Sequence, residues 1–131
     1  MAKSVAEKLL IKPGAAVWAT PPDRLGLLGP LPDGVAIAGT VSEASAAVVF
    51  ADDAAAVRRV LDEHGGGLRD VALLWVAYPK GGRADINRDT LWPMLTPLGL
   101  RPITQVSIDD TWSALRFRPL EPGEAPFIGG R

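Results

Sequence analysis

The stretch VALLWVAY at residues 71–78 carries neither a charge nor a turn former across its eight positions. An apolar run of this length, with no alternation of apolar and polar residues, suits a strand covered on both faces, as in the interior of a parallel sheet. It is expected to be the central strand. Just upstream, Asp52 or Asp53 can cap a helix, and Val57, Val60, Leu61 and His64 recur at the i, i+3, i+4, i+7 spacing of one helical face. A helix is therefore expected there, ending at the glycines 65–67. Shorter apolar segments bounded by turn residues, AAVWAT at 15–20, VAIAG at 35–39 and ASAAVVFA at 44–51, read as three further strands. Ser4 and Glu7 have capping-box spacing, so a short helix through Leu10 should precede Pro13 and Gly14. Between residues 21 and 34 proline and glycine are too dense for a long helix, which leaves an ordered loop in which Asp23 can cap one turn.

Downstream of the central strand, Asn87 can cap a helix reaching Leu98, with Pro93 and Pro97 kinking or shortening it. RPITQVSI at 101–108 and TWSALRFRP at 111–119 are separated only by Asp109 and Asp110, the mark of an antiparallel hairpin. Strands alternating with helices force parallel pairing through right-handed crossovers. The expected fold is an α/β domain over residues 1–118, a mostly parallel sheet with a C-terminal antiparallel hairpin and spatial order second, first, third, fourth, sixth, fifth strand. Residues 119–131 form an irregular tail.

Composition narrows the function classes. The chain has 131 residues, 47% hydrophobic and 22% charged, with net charge −1 and pI about 5.8. That balance sustains a globular core and gives no long-range attraction to nucleic acid or an anionic membrane, so neither is expected as a partner. Cysteine is absent and His64 is the sole histidine, which excludes thiolate chemistry and histidine-pair metal sites. No metal and no cofactor is expected. No apolar run approaches a membrane span or a signal sequence, so a cytoplasmic location is expected.

Two resemblances add to this reading. The order of elements through WVAYPK, then a helix, then a closing hairpin, resembles a shortened Rossmann-like sheet of the methyltransferase-like branch. WVAYPKGG (75–82), INRDT (86–90) and GLRPITQVSIDDTWSALRF (99–117) together resemble a family of small bacterial proteins catalogued only as a domain of unknown function. The motif residues present here are Pro79, Lys80, Asn87, Arg88, Asp89, Thr90, Asp109, Thr111, Trp112 and Arg116. This likeness implies a fold and no activity. The chain departs from the methyltransferase pattern at two places: Pro21 and Pro22 follow the first strand where glycines would let backbone amides approach a cofactor, and no acid closes the second strand. Methyl transfer and tight binding of S-adenosylmethionine or a dinucleotide are therefore not expected.

In an open parallel sheet, ligands bind beyond the carboxyl ends of the strands. Lys80 follows the central strand there, the helix start at Asn87 and Asp89 faces the same edge, and the hairpin tip at Asp109, Asp110 and Thr111 should join them. These six residues are the ligand-binding candidates. Each also has an ordinary structural reading, as a solvated strand end, a helix cap or a turn. His64 on the apolar stripe at the end of its helix is read as structural, favoured by the helix dipole, the four tryptophans as core, and Arg116 and Arg118 as a solvated strand face. Phe127 and Ile128 are two adjacent apolar residues in the tail and are expected to contact this chain or a neighbour. Two functions stay open: a small-ligand-binding domain or enzyme using this edge, and a non-catalytic protein-interaction or accessory module on a degenerate scaffold. The partner is accordingly a small molecule, another protein or a second copy of the chain.

Overall fold

A computed structural model describes residues 4–82 and 84–128. Six strands form a single sheet: β1 Ala16–Thr20, β2 Ala36–Ile37, β3 Ala46–Phe50, β4 Leu73–Pro79, β5 Leu100–Ser107 and β6 Trp112–Pro119. Their order is β2-β1-β3-β4-β6-β5. The first four strands pair in parallel, and β6 runs antiparallel to both β4 and β5. The chain is thus a mixed α/β domain with a mostly parallel sheet and an antiparallel C-terminal hairpin.

Among the described residues three α-helices accompany the sheet: α1 Val5–Lys8, α2 Ala54–Asp70 and α3 Arg88–Leu95. One face carries α2 and α3 over a core that includes Val49, Leu74, Val76, Leu115 and Phe117. On the other, α1 and a 3-10 turn at Pro22–Leu28 lie over Val17, Val48, Trp75 and Ala114. β4 is therefore covered twice: Leu74, Trp75, Val76 and Ala77 are each no more than 2% exposed. That double burial explains its unbroken apolar run. The Trp75 indole N–H also donates to the Leu9 carbonyl at 2.8 Å, pinning the end of α1 to the sheet.

Local chemistry accounts for the ends of the elements. Ser4 and Glu7 form the reciprocal capping box. α1 then closes as a Schellman motif, with Ile11 N–H donating to the Ala6 carbonyl and Leu10 N–H to that of Glu7. Leu10 takes the left-handed position of this motif at φ 63°, where glycine is usual, and remains 45% exposed. The hairpin turns on Asp109, whose carboxylate accepts from the N–H groups of Thr111 and Trp112, both at 2.8 Å. Pro102, which cannot donate to a ladder, lies on the edge strand at a shift in register before Thr104.

Four expectations are corrected. α2 does not stop at Gly65–Gly67 but continues to Asp70, because Leu68 is buried at 1% and Gly67 allows the helix to approach Val41 closely. His64 is consequently not at the helix end. Its ring meets Trp18 edge-on at 4.9 Å, so an aromatic contact takes the place of the dipole argument. Asp23 does not cap the Pro22–Leu28 turn, which begins at Pro21 with no side-chain cap. Finally, β2 keeps only Ala36–Ile37, both exposed, since nothing packs on its outer side to prolong it.

Candidate functional site

Strand direction brings the carboxyl ends of β1, β3 and β4 to one edge, and Pro79 pairs with Trp112 at the start of β6, so the hairpin tip reaches that edge too. Lys80 N–H donates to the Thr111 carbonyl at 2.8 Å, and Lys80 Nζ to Ser107 Oγ at 2.5 Å. Ser107 Oγ in turn donates to the Asp109 carbonyl at 3.3 Å. Lys80, Asp109 and Thr111 therefore form one hydrogen-bonded group with Ser107, while Asp110 stands exposed beside them. Within this group the Asp109 carboxylate is engaged in the turn itself.

Asn87 and Asp89 do not join that group by any hydrogen bond. Asn87 Oδ1 accepts from Asp89 N–H at 2.8 Å and Thr90 N–H at 3.0 Å, and Thr90 Oγ1 accepts from Asn87 N–H at 2.8 Å, so Asn87 serves as the cap of α3. Asp89 is exposed on the first turn. The loop before it is fastened to α2 instead, through Asp85 Oδ1 accepting from Ala54 N–H at 2.7 Å.

A second region of the edge escapes sequence reasoning. The chain turns outward from β1 to β2 and then crosses back to β3, so the crevice between the ends of β1 and β3 is the point where strand order reverses, the usual ligand position in open α/β sheets. Arg24 lies across it, with its guanidinium paired to both oxygens of Asp52 at 2.8 and 3.0 Å and stacked 5.0 Å from the Trp112 ring centre. The hydrogen bond to Asp52 raises the Arg24 pKa. No sequence pattern links residues 24 and 52.

The face of the sheet under α3 holds a row of hydroxyl residues. Tyr78, Ser113 and Ser107 are directly opposed on β4, β6 and β5, so their side chains share one face. Tyr78 and Ser113 are 4% and 7% exposed, and neither hydroxyl bonds another described residue. Burial raises the Tyr78 pKa, while the nearby Arg88 opposes that shift. Next to this row a cavity of about 330 Å³ is walled by Pro102, Thr104, Gln105, Leu115 and Phe127, with Arg88 at its rim. Arg88 is exposed and forms no ion pair among the described residues.

The tail completes that cavity. Phe127 packs edge-on against Trp92, with ring centres 4.8 Å apart, and lies 5.4 Å from the Arg101 guanidinium. Glu124 accepts from Arg101 at 2.7 Å and from both terminal nitrogens of Arg118 at 2.9 and 2.8 Å. Together with the Glu121 N–H, these donors hold the Glu124 pKa down to about 2. Arg118 is thus tied to the tail and is not part of a merely solvated face. Of the apolar pair, Phe127 makes the contact and Ile128 is 89% exposed. A wider groove of about 540 Å³ lies at the other side of the molecule, between Leu10, Ile11 and Pro13 near α1 and Pro30, Leu31 and Pro32. Neither cavity is walled by Lys80 or Asp109. Among the described residues no cluster of His, Asp or Glu could hold a metal ion, and no helix is long and apolar enough to cross a membrane.

No family model matches the chain, and no curated protein matches its sequence. Solved structures do match its fold. A protein of the NADB-Rossmann superfamily from Streptococcus agalactiae superposes with TM-score 0.57 at 12% identity, over 91% of this chain and 68% of its own. The B. subtilis M1A22 tRNA methyltransferase TrmK gives 0.59 at 13% identity, over 95% and 71%. A putative tRNA (m1A22) methyltransferase from Streptococcus pneumoniae, solved with S-adenosyl-L-methionine, gives 0.53 at 14%, over 92% and 75%. Two of these proteins are described as tRNA methyltransferases, one of them putative, and the comparisons give no support to the expected absence of a nucleic-acid partner. What the chain shares with them at such identity is its architecture: a Rossmann-like sheet of methyltransferase-like topology.

Proposed function

We propose that this chain is a small-molecule-binding domain whose site lies under α3, beside the carboxyl edge, and not in the crevice between β1 and β3. One observation carries the reading. The crevice is bridged by Arg24, held to Asp52 and stacked on Trp112, whereas the cavity under α3 is open and presents Arg88 without a counter-ion among the described residues. The loop after β1 also offers Pro21 and Pro22 where an adenosine cofactor needs close backbone approach. Lys80, Ser107, Asp109 and Thr111 are then the frame that fixes the hairpin against β4, and Asn87 fixes the start of α3. A fragment screen by amide NMR tests this. Shifts should cluster on Arg88, Gln105 and Phe127, and S-adenosylmethionine should leave the spectrum unchanged. Shifts centred on Arg24, Asp52 and Ala54, or micromolar affinity for S-adenosylmethionine, would defeat the proposal.

A second reading, a protein-interaction module, draws on the groove at Leu10. A large apolar side chain is displayed there in a backbone conformation that costs about 1–2 kcal/mol for a residue other than glycine, with no core contact in return. Leu10→Asn relieves that cost without filling the groove. It should leave small-molecule binding intact, and loss of a co-purifying protein in this variant would favour the second reading.

A further inference from the structure

Arg88 is the first residue of α3. A cation is disfavoured at that end of a helix, where the unpaired N–H groups already concentrate positive potential. Among the described residues no acid forms an ion pair with it: Asp89 and Asp85 are close in sequence but do not pair with Arg88, and Asp85 is engaged with Ala54. The capping of α3 is complete without Arg88, since Asn87 and Thr90 form the whole capping box. Its guanidinium therefore contributes nothing visible to the fold, yet it stands at the rim of a cavity with apolar and neutral polar walls.

Resting on the reading just given, we infer that the cavity under α3 takes a small monocarboxylate with a compact apolar body, its carboxylate on Arg88 and its body between Pro102, Leu115 and Phe127. Three features define this class. At about 330 Å³ the cavity lies at the small end of the range for small-molecule sites, which suits a single ring or a branched chain. The other guanidinium near Phe127 belongs to Arg101, and Glu124 holds it at 2.7 Å, so among the described residues Arg88 is the cation on the cavity lining that no carboxylate engages, and it matches one negative charge. A dianion would leave its second charge without a counter-ion on the cavity lining. The planar fork of arginine also matches a carboxylate through two parallel hydrogen bonds. Thr104 and Gln105 offer neutral polar groups to the ligand's remaining edge.

The test uses the full chain and three probes of similar size, benzoate, benzamide and phenyl phosphate, titrated separately and followed by amide NMR. Benzoate should shift Arg88, Gln105, Leu115 and Phe127 saturably and bind about tenfold more tightly than benzamide, the preference expected of a charge-assisted hydrogen bond. Arg88→Gln, at an exposed site, should abolish that preference while its melting temperature stays that of the parent. Equal binding of benzamide and benzoate would leave the site standing and overturn the anionic class. Tighter binding of phenyl phosphate would replace the monoanion with a dianion. Absence of shifts with all three probes would remove both the class and the site on which it rests.

Discussion

Gly65, Gly66 and Gly67 occupy consecutive positions of α2, and alanine at each should act differently although the local helix is the same. In a helix interior alanine is worth about 1 kcal/mol over glycine, because it restricts the unfolded chain and shields the backbone. At Gly66 an added Cβ meets nothing within 4 Å, so Gly66→Ala should stabilise by that full amount, about 1 kcal/mol. At Gly65 it would lie 3.7 Å from Leu98, an ordinary contact, and the gain should be at least as large. At Gly67 it would clash with Val41 Cγ1, far inside the roughly 3.5–4.0 Å at which carbon atoms rest. Val41 is 8% exposed and β-branched, so it can neither swing into solvent nor change rotamer without disturbing its turn. Overpacking of this kind costs about 1–3 kcal/mol, which exceeds the helical gain and leaves a net loss of up to about 2 kcal/mol. Urea unfolding followed by tryptophan fluorescence would resolve these signs. If Gly67→Ala stabilises as much as Gly66→Ala, α2 does not approach Val41 as described. If Gly66→Ala destabilises, the helix ends at the glycines after all.

Other consequences can be measured independently. The Glu124 carboxyl titrates at about 2, below its ordinary 4.5, so its contribution to stability is complete above about 4.5 and is lost as pH falls towards 2. Glu124→Gln should remove this acid-sensitive step from the fluorescence of Trp92, and an unchanged titration would show that the tail is not held by this carboxylate. Tyr78 is the single tyrosine, so absorbance titration of the native protein should give a pKa above 10. Because burial raises the folded value, stability should decline as pH rises beyond 10, and a native pKa at or below 10 would contradict the burial. Trp75→Phe leaves the Leu9 carbonyl without its donor and should cost about 1–3 kcal/mol for that group. A loss within the surface-substitution range of about 0.5 kcal/mol would mean that α1 is not anchored there.

The fold was readable wherever one local pattern coincided with one tertiary demand. The run at β4 is apolar because both sheet faces are covered, and the strand order follows from crossovers and the short Asp109–Asp110 connection. The end of α2 was not readable, since a glycine run signals a stop locally and only the proximity of Val41 explains why these glycines continue the helix. At the site, strand direction sufficed to bring Lys80 and the hairpin tip to one edge. That Asn87 caps a helix was equally visible in the sequence, whereas the reciprocal bond from Thr90 was not. Arg24 and Asp52 meet only through the parallel pairing of β1 with β3, and the lack of an ion pair at Arg88 among the described residues emerges only in three dimensions.

Pro102 and the register shift beside it also govern how copies of this protein can meet. An open sheet with a long, regular outermost strand invites another chain to continue the ladder, and such growth ends in aggregates. Here one border strand is interrupted by a proline and an irregularity, and the opposite border, β2, offers only two residues. Neither border is a template for sheet-to-sheet growth. Self-association would therefore have to proceed through side chains on the helical faces or the tail, where it can be abolished by single substitutions, and not through the backbone, where it could not.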